Sequence, residues 1–179
     1  MIRCRLENWN MRKRIIGDAP IDRESNAAES WLDLEQIATV EVTSEDPAFP
    51  IESVFSGSKG PGWRALDKGR QQIRLIFDQS ISLRHTRLVF IETELERTQE
   101  FTIGWSVADG SPPQEIVRQQ WNFSPAGSTK EVEDYQINLD RVAVLELTIK
   151  PDLERGQARA TLAEWRILAT KKADREARS

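Results

Sequence analysis

Trp63 and Arg64 leave a loop whose composition suits close contact with a ligand. Residues 56–66 read SGSKGPGWRAL, with Gly57, Gly60, Pro61 and Gly62 ahead of the pair. Glycines let a backbone approach a partner closely. An indole offers a flat apolar face with one N–H, and a guanidinium donates in a fixed fork to hydroxyls, carboxylates or sulfates. Lys59 adds a second cation to the same loop. The chemistry on offer is stacking combined with polar recognition of a hydroxyl-rich or anionic molecule. The plainer role is structural, with Trp63 plugging the end of a core and Arg64 paired to an acid.

Two further segments carry polar side chains in useful density. In residues 92–99 (ETELERTQ), Arg97 and Gln99 can hydrogen-bond a polar ligand beside Trp63, while Glu92 and Glu94 compete for Arg97. A solvated turn is the plainer reading there. In residues 118–123 (RQQWNF), Trp121 shares a strand face with Val117 and Phe123 and is expected in the core. Gln120 and Asn122 then face outward as part of a polar sheet surface. His85 is the only histidine and sits between Arg84 and Arg87, a surface setting.

Nothing here assembles a reaction. No serine–histidine–aspartate order, G-x-S-x-G turn, phosphate loop or metal-ligand cluster is present. The near-neighbour acids, Glu133 with Asp134 and Glu94 with Glu96, point apart or to solvent. The sequence therefore predicts a binding protein and no enzyme, with no cofactor and no metal.

The elements that must hold these residues read as strands. Phe101, Ile103, Trp105 and Val107 alternate with Thr102, Gly104 and Ser106; Asp109-Gly110 turns the chain, and Val117, Gln119, Trp121 and Phe123 resume the alternation. That is an antiparallel hairpin. Further alternating segments fall at residues 38–43, 72–77, 87–92, 132–139, 145–149 and 158–168, with a short one at 51–55. Residues 26–36 are the one candidate helix, with Trp31 and Leu34 on a common face. Eight or nine short strands separated by turns predict an all-β, antiparallel β-sandwich or jelly roll.

Composition sets the remaining bounds. The 179 residues suit one domain with tails; 39% are hydrophobic and 30% charged. Residues 1–30 form a basic, irregular arm, 31–168 the sandwich, and 169–179 a charged tail. A net charge of -4 argues against general affinity for nucleic acid. No stretch approaches the roughly 20 apolar residues of a membrane span, and the start lacks a secretory apolar core. Cys4 is the only cysteine, which precludes an internal disulfide and fits a cytoplasmic location.

The order of these features resembles the discoidin, or galactose-binding-like, jelly-roll family of coagulation-factor C-type domains. The resemblance rests on Ile73-Arg74-Leu75-Ile76-Phe77, Arg87-Leu88-Val89-Phe90-Ile91 and Ser106-Val107-Ala108-Asp109-Gly110. It continues through residues 116–121, 145–149 and 162–167, covering about residues 38–168. It implies binding of sugars, lipid head groups or protein partners through loops at one end. Two features depart from the family. Cys4 cannot close the disulfide of the secreted members. Many sugar-binding members also hold a structural calcium; Glu164 matches one part of that site, but residues 56–60 offer no carboxylate for the rest. The expected ligand is a carbohydrate or similar polyol; a protein-interaction scaffold is the alternative.

Overall fold

A computed structural model describes residues 31–55, 60–154 and 156–170. The basic arm, Lys59 and most of the charged tail lie outside the described residues. The described residues form eight strands, with one short 3-10 turn before β1 and another between β1 and β2: β1 (Ala38–Val42), β2 (Trp63–Lys68), β3 (Gln71–Ile91), β4 (Arg97–Ser106), β5 (Gln114–Phe123), β6 (Lys130–Lys150), β7 (Arg159–Leu162) and β8 (Glu164–Thr170). All pairings are antiparallel.

Two long strands each serve two layers. The first part of β3 pairs β1 through Leu75↔Val40 and β6 through Leu75↔Leu145; β6 in turn pairs β4, and β4 pairs β5. The second part of β3 lies between β8, through Leu88↔Trp165, and the start of β6, through Leu88↔Glu133. Five strand segments thus form one layer and three the other. The register slips between Ile76 and Leu83, where β3 passes from one to the other. At the matching point of β6, Arg141 takes a left-handed conformation, φ 61°, unusual for a side chain with a Cβ. Phe90 and Phe101 meet across the interior with ring centroids 5.2 Å apart. Ile73, Leu75, Ile103, Leu145, Leu147 and Ile149 fill the space between, each adding about 1.5–3 kcal/mol of burial.

The hairpin read from residues 101–123 is β4–β5, and Gly110 has the positive φ (79°) its turn requires. Several boundaries differ from the sequence reading. Residues 51–55 form a 3-10 turn (Ile51–Val54) instead of a strand, because Ile51 and Val54 both bury at helical spacing. The candidate helix is a three-residue 3-10 turn, Leu34–Gln36, with residues 26–30 outside the described region. Segments 72–77 and 87–92 are one strand, as are 132–139 and 145–149. The expected strand at 158–168 divides between two sheets as β7 and β8. Trp121 is 36% exposed and not in the core. β5 is an edge strand, and all its residues but Phe123 are at least partly exposed.

Candidate functional site

The two-stranded ribbon β2–β7 packs against β3. Between this ribbon and the turn after β3 opens a cleft of about 520 Å³. Arg64, Lys68 and Arg159 line one wall, Glu92 and Glu94 the other, with Phe49 at the rim. Residues 61, 63 and 64 of the first loop singled out from sequence and residues 92–95 of the second therefore converge on one place.

Gly62 fixes the entry to β2. Its φ is +76°, and a Cβ there would stand 2.8 Å from the Leu162 carbonyl oxygen. Only glycine lets β2 approach β7 this closely. Trp63 follows, and its ring is core: 1% exposed, with the indole N–H unpartnered among the described residues. The expectation that its indole stacks on a ligand is corrected, because Trp63 pairs Leu162 and points inward. It supports the cleft floor.

Arg64 does reach the cleft. Its Nε and Nη2 donate to Asp46 Oδ2 at 3.2 and 2.6 Å, and its guanidinium lies 3.8 Å over the Phe49 ring. Backbone bonds fasten the same three residues: Arg64 N–H donates to the Phe49 carbonyl and Asp46 N–H to the Arg64 carbonyl. The Arg64 hydrogen bond, then the Ala48 N–H, hold the Asp46 carboxyl below its ordinary pKa. The result is a guanidinium held in place over an aromatic ring, chemistry suited to a hydroxyl or an oxyanion.

Opposite, Glu92 shapes its own turn. Its Oε1 accepts the N–H groups of Glu94 (2.9 Å) and Leu95 (3.1 Å), and Oε2 accepts Arg97 Nε at 2.9 Å. Burial pushes this carboxyl up, but those donors outweigh it and keep its pKa below the ordinary value. Arg97 is buried beneath the turn. Its Nη1 donates to Gln99 Oε1 at 3.0 Å and to the Pro151 carbonyl, and its guanidinium faces Phe123. Both Arg97 and Gln99 are more than nine-tenths covered. The sequence reading places them beside Trp63 as ligand donors; the structure places both beneath the turn and outside the lining of the cleft.

Gln120 and Asn122 lie elsewhere, exposed on β5. Gln120 Nε2 donates to Glu100 Oε2 at 2.9 Å, and Asn122 Oδ1 accepts Thr98 Oγ1 at 2.8 Å. The lining of the cleft does not include them. Lys59 lies outside the described residues. Glu164, matched above to a calcium ligand, forms ion pairs with Arg166 (3.3 Å) and Arg87 (3.6 Å). Sequence reasoning missed Asp46, Phe49, Lys68 and Arg159. Asp46 and Phe49 fall between the alternating segments 38–43 and 51–55, and the β2–β7 pairing spans some ninety residues.

No family model and no curated protein matches the chain by sequence. Solved structures do match by shape. CBM32-3 from a family 31 glycoside hydrolase of Clostridium perfringens superposes with a TM-score of 0.59 at 17% identity, covering 78% of this chain and 95% of that one. CpGH89CBM32-5 from the same organism, solved with GalNAc-β-1,3-galactose, gives 0.58 at 16%, covering 77% and 99%. The family 32 module of C. perfringens NanJ, solved with galactose, gives 0.56 at 15%, covering 78% and 98%. The chain has the galactose-binding-like, discoidin jelly-roll fold of these modules.

Proposed function

We propose that this protein is a non-enzymatic carbohydrate-binding module whose site is the cleft between the β2–β7 ribbon and the Glu92–Leu95 turn. The carrying observation is Arg64 in the lining of that cleft, its guanidinium held by Asp46 and lying over Phe49. The fold is shared with modules solved with galactose or GalNAc-β-1,3-galactose bound, and this supports a sugar as the ligand class. A cytoplasmic location belongs to the same proposal, supported by the single cysteine. Calorimetric titration with galactose- and uronate-based oligosaccharides tests it. Binding is expected, with Arg64→Ala weakening it at least tenfold while the circular dichroism spectrum stays unchanged. An absence of any saccharide response, or an Arg64→Ala variant that binds as well as the parent, contradicts it.

The scaffold alternative has one observation of its own. β5 is an edge strand of ten residues carrying a 36% exposed tryptophan, Trp121. Unpaired strand edges accept added strands. A partner captured through β5 and lost on Trp121→Asp, together with no saccharide binding, favours that reading.

A further inference from the structure

The cleft carries more positive charge than its own acids balance, in a chain whose net charge is -4. Arg64, Lys68 and Arg159 share the β2–β7 wall. Lys68 and Arg159 are direct cross-strand partners in the register. Like charges directly opposite one another destabilise a strand pair, so this arrangement works against the ribbon it sits on. Residues that break a local rule without a structural gain mark functional places.

The counter-charge on that wall is Asp46. Arg64 Nη2 lies 2.6 Å and Arg159 Nη1 3.6 Å from the same oxygen, Oδ2. The acid's side chain is 14% exposed, while those of the two arginines are 36% and 43%. The carboxylate is thus sunk beneath the cations, which face outward. Lys68 Nζ donates to a neutral group, Gln157 Oε1, at 3.1 Å. Among the described residues, three cations against one carboxylate leave the wall at +2. On the opposite wall Glu92 is consumed by Arg97 and two backbone N–H groups, and Glu94 is the exposed acid that remains. Counted over the described residues, the cleft stands at +1, with the surplus concentrated at Lys68 and Arg159.

We propose that the cleft selects an acidic sugar, with its carboxylate between Lys68 and Arg159 and neighbouring hydroxyls on Arg64. This rests on the carbohydrate reading above. An anion there relieves the cross-strand repulsion, so ligand charge and ribbon stability act together. Glu94 opposes it from across the cleft and restrains affinity.

The test is calorimetric titration of the full chain with uronate oligosaccharides (galacturonate, mannuronate and glucuronate) and with neutral galactose, mannose and glucose counterparts. A uronate oligosaccharide is expected to bind at least tenfold more tightly than its neutral counterpart, and more weakly as sodium chloride rises from 50 to 500 mM. Lys68→Gln and Arg159→Gln are each expected to lower that affinity about fivefold or more while leaving the melting temperature unchanged or raised. Glu94→Gln is expected to raise it two- to threefold. Neutral sugars binding as tightly as the acidic ones, without salt dependence, overturn the acidic preference and leave the carbohydrate reading standing. Failure of both sets overturns that reading itself.

Discussion

Replacing Glu131 with glutamine should remove a pH dependence that the folded chain carries in its interior. Glu131 sits on β6 opposite Phe90 and is 2% exposed. Burial, and then the neighbouring Glu133 carboxylate, push its carboxyl up to about 9 from an ordinary 4.5. The Tyr135 hydroxyl donates to Glu133, and burial followed by that same carboxylate raises the phenol above its ordinary value. The sign follows from linkage. Between about pH 4.5 and 9 the folded chain keeps the Glu131 proton and the unfolded chain releases it. Stability therefore falls as pH rises through that window, by about 1.4 kcal/mol per pH unit at full separation. From pH 6 to 8 this amounts to roughly 3 kcal/mol. Glutamine has no such proton. Its buried amide adds an offset of its own, so the slope and not the absolute stability carries the test. Glu100 works in the opposite sense and in a different range. Lys150 first, then Gln120, lower its carboxyl to about 2, so its contribution is present above about pH 4.5 and lost as pH falls toward 2. Urea unfolding of parent and Glu131→Gln at pH 5, 6, 7 and 8 measures the difference. The variant is expected to gain on the parent steadily with pH. Parallel stability curves over that range would refute the reasoning.

Other expected outcomes separate core from surface. Trp63→Ala should cost about 3–5 kcal/mol in urea unfolding, as for a fully buried aromatic, while Trp121→Ala should cost less than about 1 kcal/mol. The reverse order contradicts the placement of Trp63 beneath the cleft. Gly62→Ala should lower the melting temperature, because the new methyl meets the Leu162 carbonyl and the positive φ is retained; the expected cost is about 1–3 kcal/mol. An unchanged melt would mean that β2 does not need that close approach to β7.

Period-2 alternation made most of the fold legible. Ile73, Leu75 and Phe77, Phe101 and Ile103, and Leu145, Leu147 and Ile149 all bury as their spacing requires. What alternation cannot show is where one strand serves two sheets. β3 runs through Asp78–Ser82 without stopping, although those polar residues read locally as a turn. Ala163 separates β7 from β8 within one alternating segment, because β7 must pair β2 while β8 must pair β3. Trp121 misled for a related reason: it shares a period with buried Phe123, but β5 has no neighbour beyond it to complete the cover. At the site, the two loops were located, but of the described side chains expected to face a ligand there Arg64 is the partly exposed one, while Trp63, Arg97 and Gln99 are buried. Arg64 was legible because arginine after a glycine-rich loop is exposed by default. Arg97 was not, since a buried arginine requires Glu92, Gln99 and Pro151 to converge on it, and only tertiary structure brings them there. Lys68 and Arg159 carry no local signal at all.

The location of bound sugar tests the account most directly. Amide chemical-shift changes in the full chain, followed by two-dimensional NMR during titration with a uronate oligosaccharide, should cluster at Asp46, Phe49, Arg64, Lys68, Glu94 and Arg159. Changes confined to β5, around Gln120 and Asn122, or a saturating saccharide that leaves the β2–β7 ribbon undisturbed, would contradict the assignment of the cleft.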